Sequence, residues 1–129
     1  MIFGIGTDIA KTSRFKKWID EPEMFLRFFN ENELFSGDLK KHCESACCHY
    51  AARFAAKEAF VKAFGTGFCG FELNDFYVKK NAEGQPFFEF GEKTKKVISK
   101  RIDKDYRVHL SISHEKEFAT AFVIIEILE

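Results

Sequence analysis

Glu58 and Lys62 stand four residues apart in the stretch Arg53-Phe-Ala-Ala-Lys57-Glu58-Ala-Phe-Val-Lys62-Ala-Phe-Gly65-Thr66-Gly67. On a helix, that spacing puts a carboxylate and an ammonium on one face, one turn apart. Lys57 lies beside them and Arg53 a turn earlier. Three cations around one acid, followed by a Gly-Thr-Gly turn with free backbone N–H groups, suit a metal-bridged phosphate site. A second carboxylate, Asp8, occurs in Gly4-Ile-Gly-Thr-Asp8-Ile9 near the start of the chain. Asp8 and Glu58 together can hold a hard divalent cation. Magnesium takes one or two protein carboxylates and completes its shell with water and phosphate oxygens. Plainer roles compete: Glu58 and Lys62 as a surface pair, and Asp8 as a cap for a helix starting near Thr12.

The elements that must position these residues follow from the periodicities. Residues 1–6 read as a short buried strand, with Gly4 and Gly6 permitting close packing. A helix is expected from Thr12 or Ser13, and a second one after Pro22 through the apolar run Met24–Phe29. Asn30 and Glu33 have the spacing of a capping box. A long helix is expected from about Leu39 to Phe64, roughly 26 residues or ~39 Å. Its alanines at 52, 55, 56, 59 and 63 recur at three or four, a narrow stripe against which another backbone can come close. Strands at 75–79 and 87–90 flank a turn, residues 91–103 look helical, and 108–114 with 118–128 form a hairpin. The pattern is α+β: a small, mainly antiparallel sheet packed along one long helix, with additional short helices.

At 129 residues, with 46% hydrophobic and 31% charged content, one soluble globular domain is expected over 1–129. Twenty basic residues balance twenty acidic ones, which argues against a general nucleic-acid binder. No run approaches the ~18 apolar residues of a membrane span. The first residues carry neither a charged leader nor a long apolar region, so a cytoplasmic protein is expected. Cys43, Cys47, Cys48 and Cys69 read as reduced thiols rather than as a metal site with His42 and His49. Seventeen phenylalanines against one tryptophan is a skew that the sequence does not explain.

Two further groups carry chemistry. Lys11, Arg14, Lys16 and Lys17 form a basic cluster without an intervening acid, with Trp18 beside it. Such a patch can steer an acidic partner in a chain of zero net charge. In Val108–His114 the residues alternate, so that His109, Ser111 and Ser113 share a polar face able to donate hydrogen bonds to phosphate.

Taken together, Gly4–Ile9, Arg53–Gly67 and His109-Leu-Ser-Ile-Ser-His resemble the holo-[acyl carrier protein] synthases, the short bacterial class of 4′-phosphopantetheinyl transferases. The resemblance covers nearly the whole chain. It implies that the phosphopantetheine arm of coenzyme A moves onto a serine of an apo acyl carrier protein, releasing adenosine 3′,5′-bisphosphate, in support of fatty acid biosynthesis. It implies Asp8 and Glu58 as magnesium ligands, and Asp8, Glu58 and Lys62 as the catalytic set. Arg53, Lys57, Lys62, Gly65, Thr66, Gly67 and His109 would bind coenzyme A. Arg14, Lys17 and Arg27 would meet the acidic helix of the carrier. A homotrimer with active sites between subunits is also implied. The serine's proton would pass to a magnesium-bound water or to Glu58, a choice the sequence leaves open. Two other classes fit parts of the pattern: a metal-dependent nucleotide hydrolase, and a non-catalytic module binding an acidic partner through Arg14 and Lys17.

Overall fold

The helix that carries Glu58 runs through the middle of the molecule and is buried on most of its circumference. In this computed structural model, which describes residues 1–67 and 70–129, it is α2 (Cys43–Phe64). Its alanine stripe meets β1 (Ile2–Lys11). A Cβ on Gly4 or Gly6 would fall inside the van der Waals radius of the Ala63 or Ala59 carbonyl oxygen, so only glycine allows this approach. β1 pairs antiparallel with β5 (Phe118–Ile127), and β5 with β4 (Tyr106–His114), giving a three-stranded sheet in the order β1-β5-β4. One face of that sheet, through Ala119, Ala121, Val123 and Ile125, packs into the core with α2.

A second, separate sheet is the hairpin β2 (Phe76–Lys80) and β3 (Pro86–Phe90). The single sheet expected from the sequence is therefore two, both antiparallel. The α+β class holds.

The phenylalanine excess has a structural use. An alanine-rich helix is thin, and flat rings fill the space beside it. Phe60 stands at the centre of one cluster, with ring centroids of Phe71, Phe76, Phe88 and Phe90 within 5.1–5.5 Å. A second cluster gathers Phe15, Trp18, Phe25, Phe29 and Tyr50 around Phe54 and Phe28. Offset and edge-on pairs of this kind each add about 0.5–1.5 kcal/mol beyond area burial.

Several boundaries differ from the sequence expectation. β1 extends through Lys11, so Asp8 sits inside a strand rather than ahead of a helix. Thr12–Asp20 is a 3-10 helix without a side-chain cap. Thr12 is buried instead, its hydroxyl donating to the Lys116 carbonyl at 2.7 Å. The run after Pro22 yields one 3-10 turn and only a short α1 (Phe25–Phe28). The long helix starts at Cys43 because residues 38–42 form a turn tied by Asp38, whose Oδ1 accepts from the Lys41 N–H at 2.8 Å. α3 (Glu92–Ser99) is shorter than 91–103. The Asn30–Glu33 capping box is present as expected. Part of the glycine-rich loop, residues 68 and 69 with the fourth cysteine, lies outside the described residues.

Candidate active site

The close approach of β1 to α2 decides where Asp8 goes. Two residues along β1 match four along α2, since Gly4 faces Ala63 and Gly6 faces Ala59. Those steps are ~6.6 Å and ~6.0 Å, so the two elements stay in phase. Asp8, on the same side of β1, falls one turn further back, beside Glu58. Burial is the first cause that holds the Glu58 carboxyl above its ordinary pKa, and the charge of Asp8 is the second. Lys62 Nζ donates to Asp8 Oδ1 and to the Thr7 carbonyl, both at 3.1 Å. The Asp8 side chain is only 16% exposed and that of Lys62 55%. Two neighbouring carboxylates, with an exposed ammonium at their edge, are a donor set fitted to a hard divalent cation and a phosphate. Among the described residues no three His, Cys, Asp or Glu side chains gather as a metal site. Asp8 and Glu58 would leave the remaining positions of such a cation to water and ligand oxygens.

Gly65 closes α2 at φ +89° and Gly67 follows at φ +65°, both left-handed, so the Gly65-Thr66-Gly67 turn begins beside the last turn of the helix that bears Lys62.

The structure does not bring Lys57 to this cluster. Its side chain is fully buried on another face of α2. Nζ is paired with Glu33 and donates to the carbonyls of Phe28 and Leu73 at 3.0 and 2.7 Å. Burial pushes its pKa down to about 8, against the pull of Glu33. Its three acceptors are all inside the chain, which makes it a structural node rather than a ligand contact in this arrangement. Glu33 was legible only as a capping residue. Its second role needs Lys57, 24 positions away, and has no local signal.

Arg53 also faces away from Glu58. It lines a cavity of about 770 Å³ with His49, Lys80, Pro86, His114 and Lys116. One guanidinium nitrogen donates to the His49 carbonyl at 3.2 Å, while the buried Nε has no partner among the described residues. His109 lies on the outer face of the sheet, Nε2 3.0 Å from Glu126 Oε1. Two strands and three register positions separate it from Asp8, about 10 Å each way. Within one chain the acidic half of the site and the basic half therefore stand on different faces.

A groove of about 740 Å³ opens beside Glu58, floored by Phe28, Phe54, Phe71 and Leu73 and rimmed by Arg14 and Arg27. The Arg14 guanidinium sits 4.6 Å from the Phe54 ring centroid. Lys17 is exposed on the neighbouring 3-10 helix, and Trp18 is stacked on Phe28 beneath it.

A family model described as the 4′-phosphopantetheinyl transferase superfamily matches residues 4–123. The chain belongs to that superfamily. It is 44% identical over 126 residues to the holo-[acyl-carrier-protein] synthase of Treponema denticola, covering 98% of this chain and 99% of that one. It is 38% identical to the synthase of Clostridium kluyveri over 98% and 92%. Among solved structures, a holo-(acyl-carrier-protein) synthase from Bacillus anthracis in complex with CoA (3′,5′-ADP) superposes with a TM-score of 0.77 at 34% identity, over 99% of both chains. The Neisseria meningitidis enzyme gives 0.80 at 32%, over 98% and 99%. The resemblance read from the motifs is thereby established, and with it the α+β transferase fold and an enzyme of the phosphopantetheinyl transferase class. In this transferase the groove floor and Lys80 escaped sequence reasoning, because aromatic residues scattered over the chain carry no spacing signal.

Proposed function

We propose that the chain transfers the 4′-phosphopantetheine group of coenzyme A to a serine of apo acyl carrier protein, in a magnesium-dependent reaction. The observation that carries this is the meeting of Asp8, Glu58 and Lys62, secured by glycine–alanine contact between β1 and α2. A bond forms between the serine Oγ and the phosphorus that bears pantetheine. The bond from that phosphorus to the bridging oxygen breaks, and adenosine 3′,5′-bisphosphate leaves. The hydroxyl proton passes to Glu58 or to a water beside it. Lys62 stabilises the developing charge on the leaving phosphate. Magnesium held by Asp8 and Glu58 would polarise the pyrophosphate.

Arg53, with its unpartnered Nε, and the cations around its cavity suit the nucleotide phosphates. His109 and the Gly65-Thr66-Gly67 turn would complete that recognition. Arg14 and Arg27 line the groove, Lys17 is exposed on the neighbouring 3-10 helix, and the three would meet the acidic surface of the carrier. Because Arg53 and His109 are turned away from Asp8 and Glu58, the complete site calls for a second copy of the chain. The outer face of the three-stranded sheet offers it a surface: Ile5 and Ile9 are 60% and 62% exposed and Phe122 45%. A homotrimer with sites between subunits fits that surface.

The reading carries with it a cytoplasmic setting and a role in supplying holo carrier to fatty acid biosynthesis. The three described cysteines are free, in keeping with a reducing compartment. Asp8→Ala should abolish transfer at any magnesium concentration. Full activity of that variant would overturn the assignment.

A further inference from the structure

The groove beside Glu58 has two walls that are far apart in sequence. One comes from residues 26–30 and presents Phe28. The other comes from residues 71–74 and presents Phe71, Leu73 and Asn74. Both walls pack into the same apolar core, and polar bonds tie them to each other as well. Lys57, immediately before Glu58 in the chain, is bonded at once to the Phe28 carbonyl on the first wall and the Leu73 carbonyl on the second. Glu33 holds Lys57 in place. Its Oε1 accepts from the Asn30 N–H at 3.0 Å, and its Oε2 from the Val78 N–H at 3.2 Å. Two exposed bonds run across the top: Asn30 Nδ2 to the Asn74 carbonyl at 2.9 Å, and Asn74 Nδ2 to the Leu26 carbonyl at 3.1 Å.

We propose that Lys57, locked by Glu33, is a positioning residue that sets the spacing of these two walls and thereby the docking of the acceptor protein in the groove beside Glu58. The inference rests on the proposed transfer to a carrier protein. An ammonium supplies three donors in three directions, and here each goes to a different segment of the chain. No apolar side chain of similar length can hold two carbonyls at a fixed separation. The groove floor is apolar, with Arg14 and Arg27 on one part of the rim and Glu58 and Glu72 on the rest, so an acceptor presenting an apolar side chain with acids toward the two arginines needs both walls at the right distance. Arg53, in the coenzyme A half of the site, lies one turn before Lys57 on α2; its guanidinium makes none of these hydrogen bonds and donates to the His49 carbonyl instead.

The test is the steady-state kinetics of Lys57→Met/Glu33→Leu with apo acyl carrier protein and coenzyme A varied in turn. Removing both charges avoids leaving either ion of the buried pair alone, and thermal melts show whether the double variant is folded. The KM for the carrier should rise about tenfold or more, while kcat and the KM for coenzyme A stay within about twofold. A carrier KM unchanged in the folded double variant overturns the proposal, as does a parallel rise in both KM values. Asn30→Ser provides a check that does not touch the core. It retains a capping oxygen and loses the reach to Asn74, so the carrier KM should rise about threefold. No change there, should the double variant not fold, also overturns it. The failure of the underlying reading is separate: wild-type protein would then transfer nothing to any carrier.

Discussion

Asp8 and Glu58 are 50 positions apart, yet the Asp8 charge helps hold the Glu58 carboxyl above its ordinary pKa after burial, and Lys62 is the cation that both see. Lys62 is more than half exposed, so its value lies at the transition state rather than in stability. Lys62→Ala should lower kcat by about 10²-fold with little change in Tm, read by carrier transfer and thermal melts. His49 behaves in the opposite way. Its Nε2 donates to the Glu33 carbonyl at 2.6 Å, and burial, assisted by the Arg53 charge, pushes its pKa from 6.5 down to about 4. Between those values the unfolded chain binds a proton that the folded chain refuses. Stability is therefore whole above pH 6.5 and falls as pH drops toward 4, by up to roughly 3 kcal/mol. In denaturant titrations across that range, His49→Phe should flatten the slope; an unchanged slope would assign the acid sensitivity to other groups. Glu58, Lys62 and Asp8 were legible as types and spacings. The burial of Lys57 was not, because a lysine beside a glutamate on a helix looks alike in either orientation. What decides it is Glu33, brought in by the turn at Asn30.

The junction of β1 with α2 is the element on which the site depends. Gly4 and Gly6 were readable as a place for close packing, and Ala59 and Ala63 as part of a stripe that a backbone can approach; that the two meet was not. Gly6→Ala should cost about 3 kcal/mol or more, because the new methyl meets a backbone carbonyl that cannot rotate away. Differential scanning calorimetry should find Tm lower by roughly 10 °C or more. A variant of unchanged Tm would mean that β1 is free to shift, and Asp8 with it. Helix ends were read less well. Leu39-Lys-Lys-His holds no glycine or proline to stop a helix, but Asp38 captures the Lys41 N–H and turns the chain first. Residues 12–28 carry a helical period and fold largely as 3-10 turns, wrapped around the aromatic cluster of Phe15, Trp18 and Phe28. Packing of rings there prevails over propensity. The division into two sheets was equally hidden, since alternation marks each strand and says nothing of which strands pair.

At the scale of the whole molecule, Asp8 and Glu58 stand on one face and Arg53 and His109 on others; under the proposed function these are two halves of one site. The exposed face with Ile5, Ile9 and Phe122 is where copies would meet. Phe122→Asp should yield a folded monomer in light scattering, with transfer reduced by at least about 10²-fold, because Arg53 and His109 would no longer reach the ligand of a neighbour. A fully active monomer would contradict the shared site. Family membership and the transferase fold were legible because three motifs span the chain; the separation of Arg53 from Glu58 was not, since one helix carries both. The central claim, transfer of phosphopantetheine through Asp8 and Glu58, is tested most directly by the intact mass of apo acyl carrier protein after incubation with this protein, coenzyme A and magnesium. The carrier should gain the mass of one phosphopantetheine group, and the gain should vanish with EDTA and with Glu58→Ala. Consumption of coenzyme A with no gain on the carrier would contradict the account and point to a hydrolase.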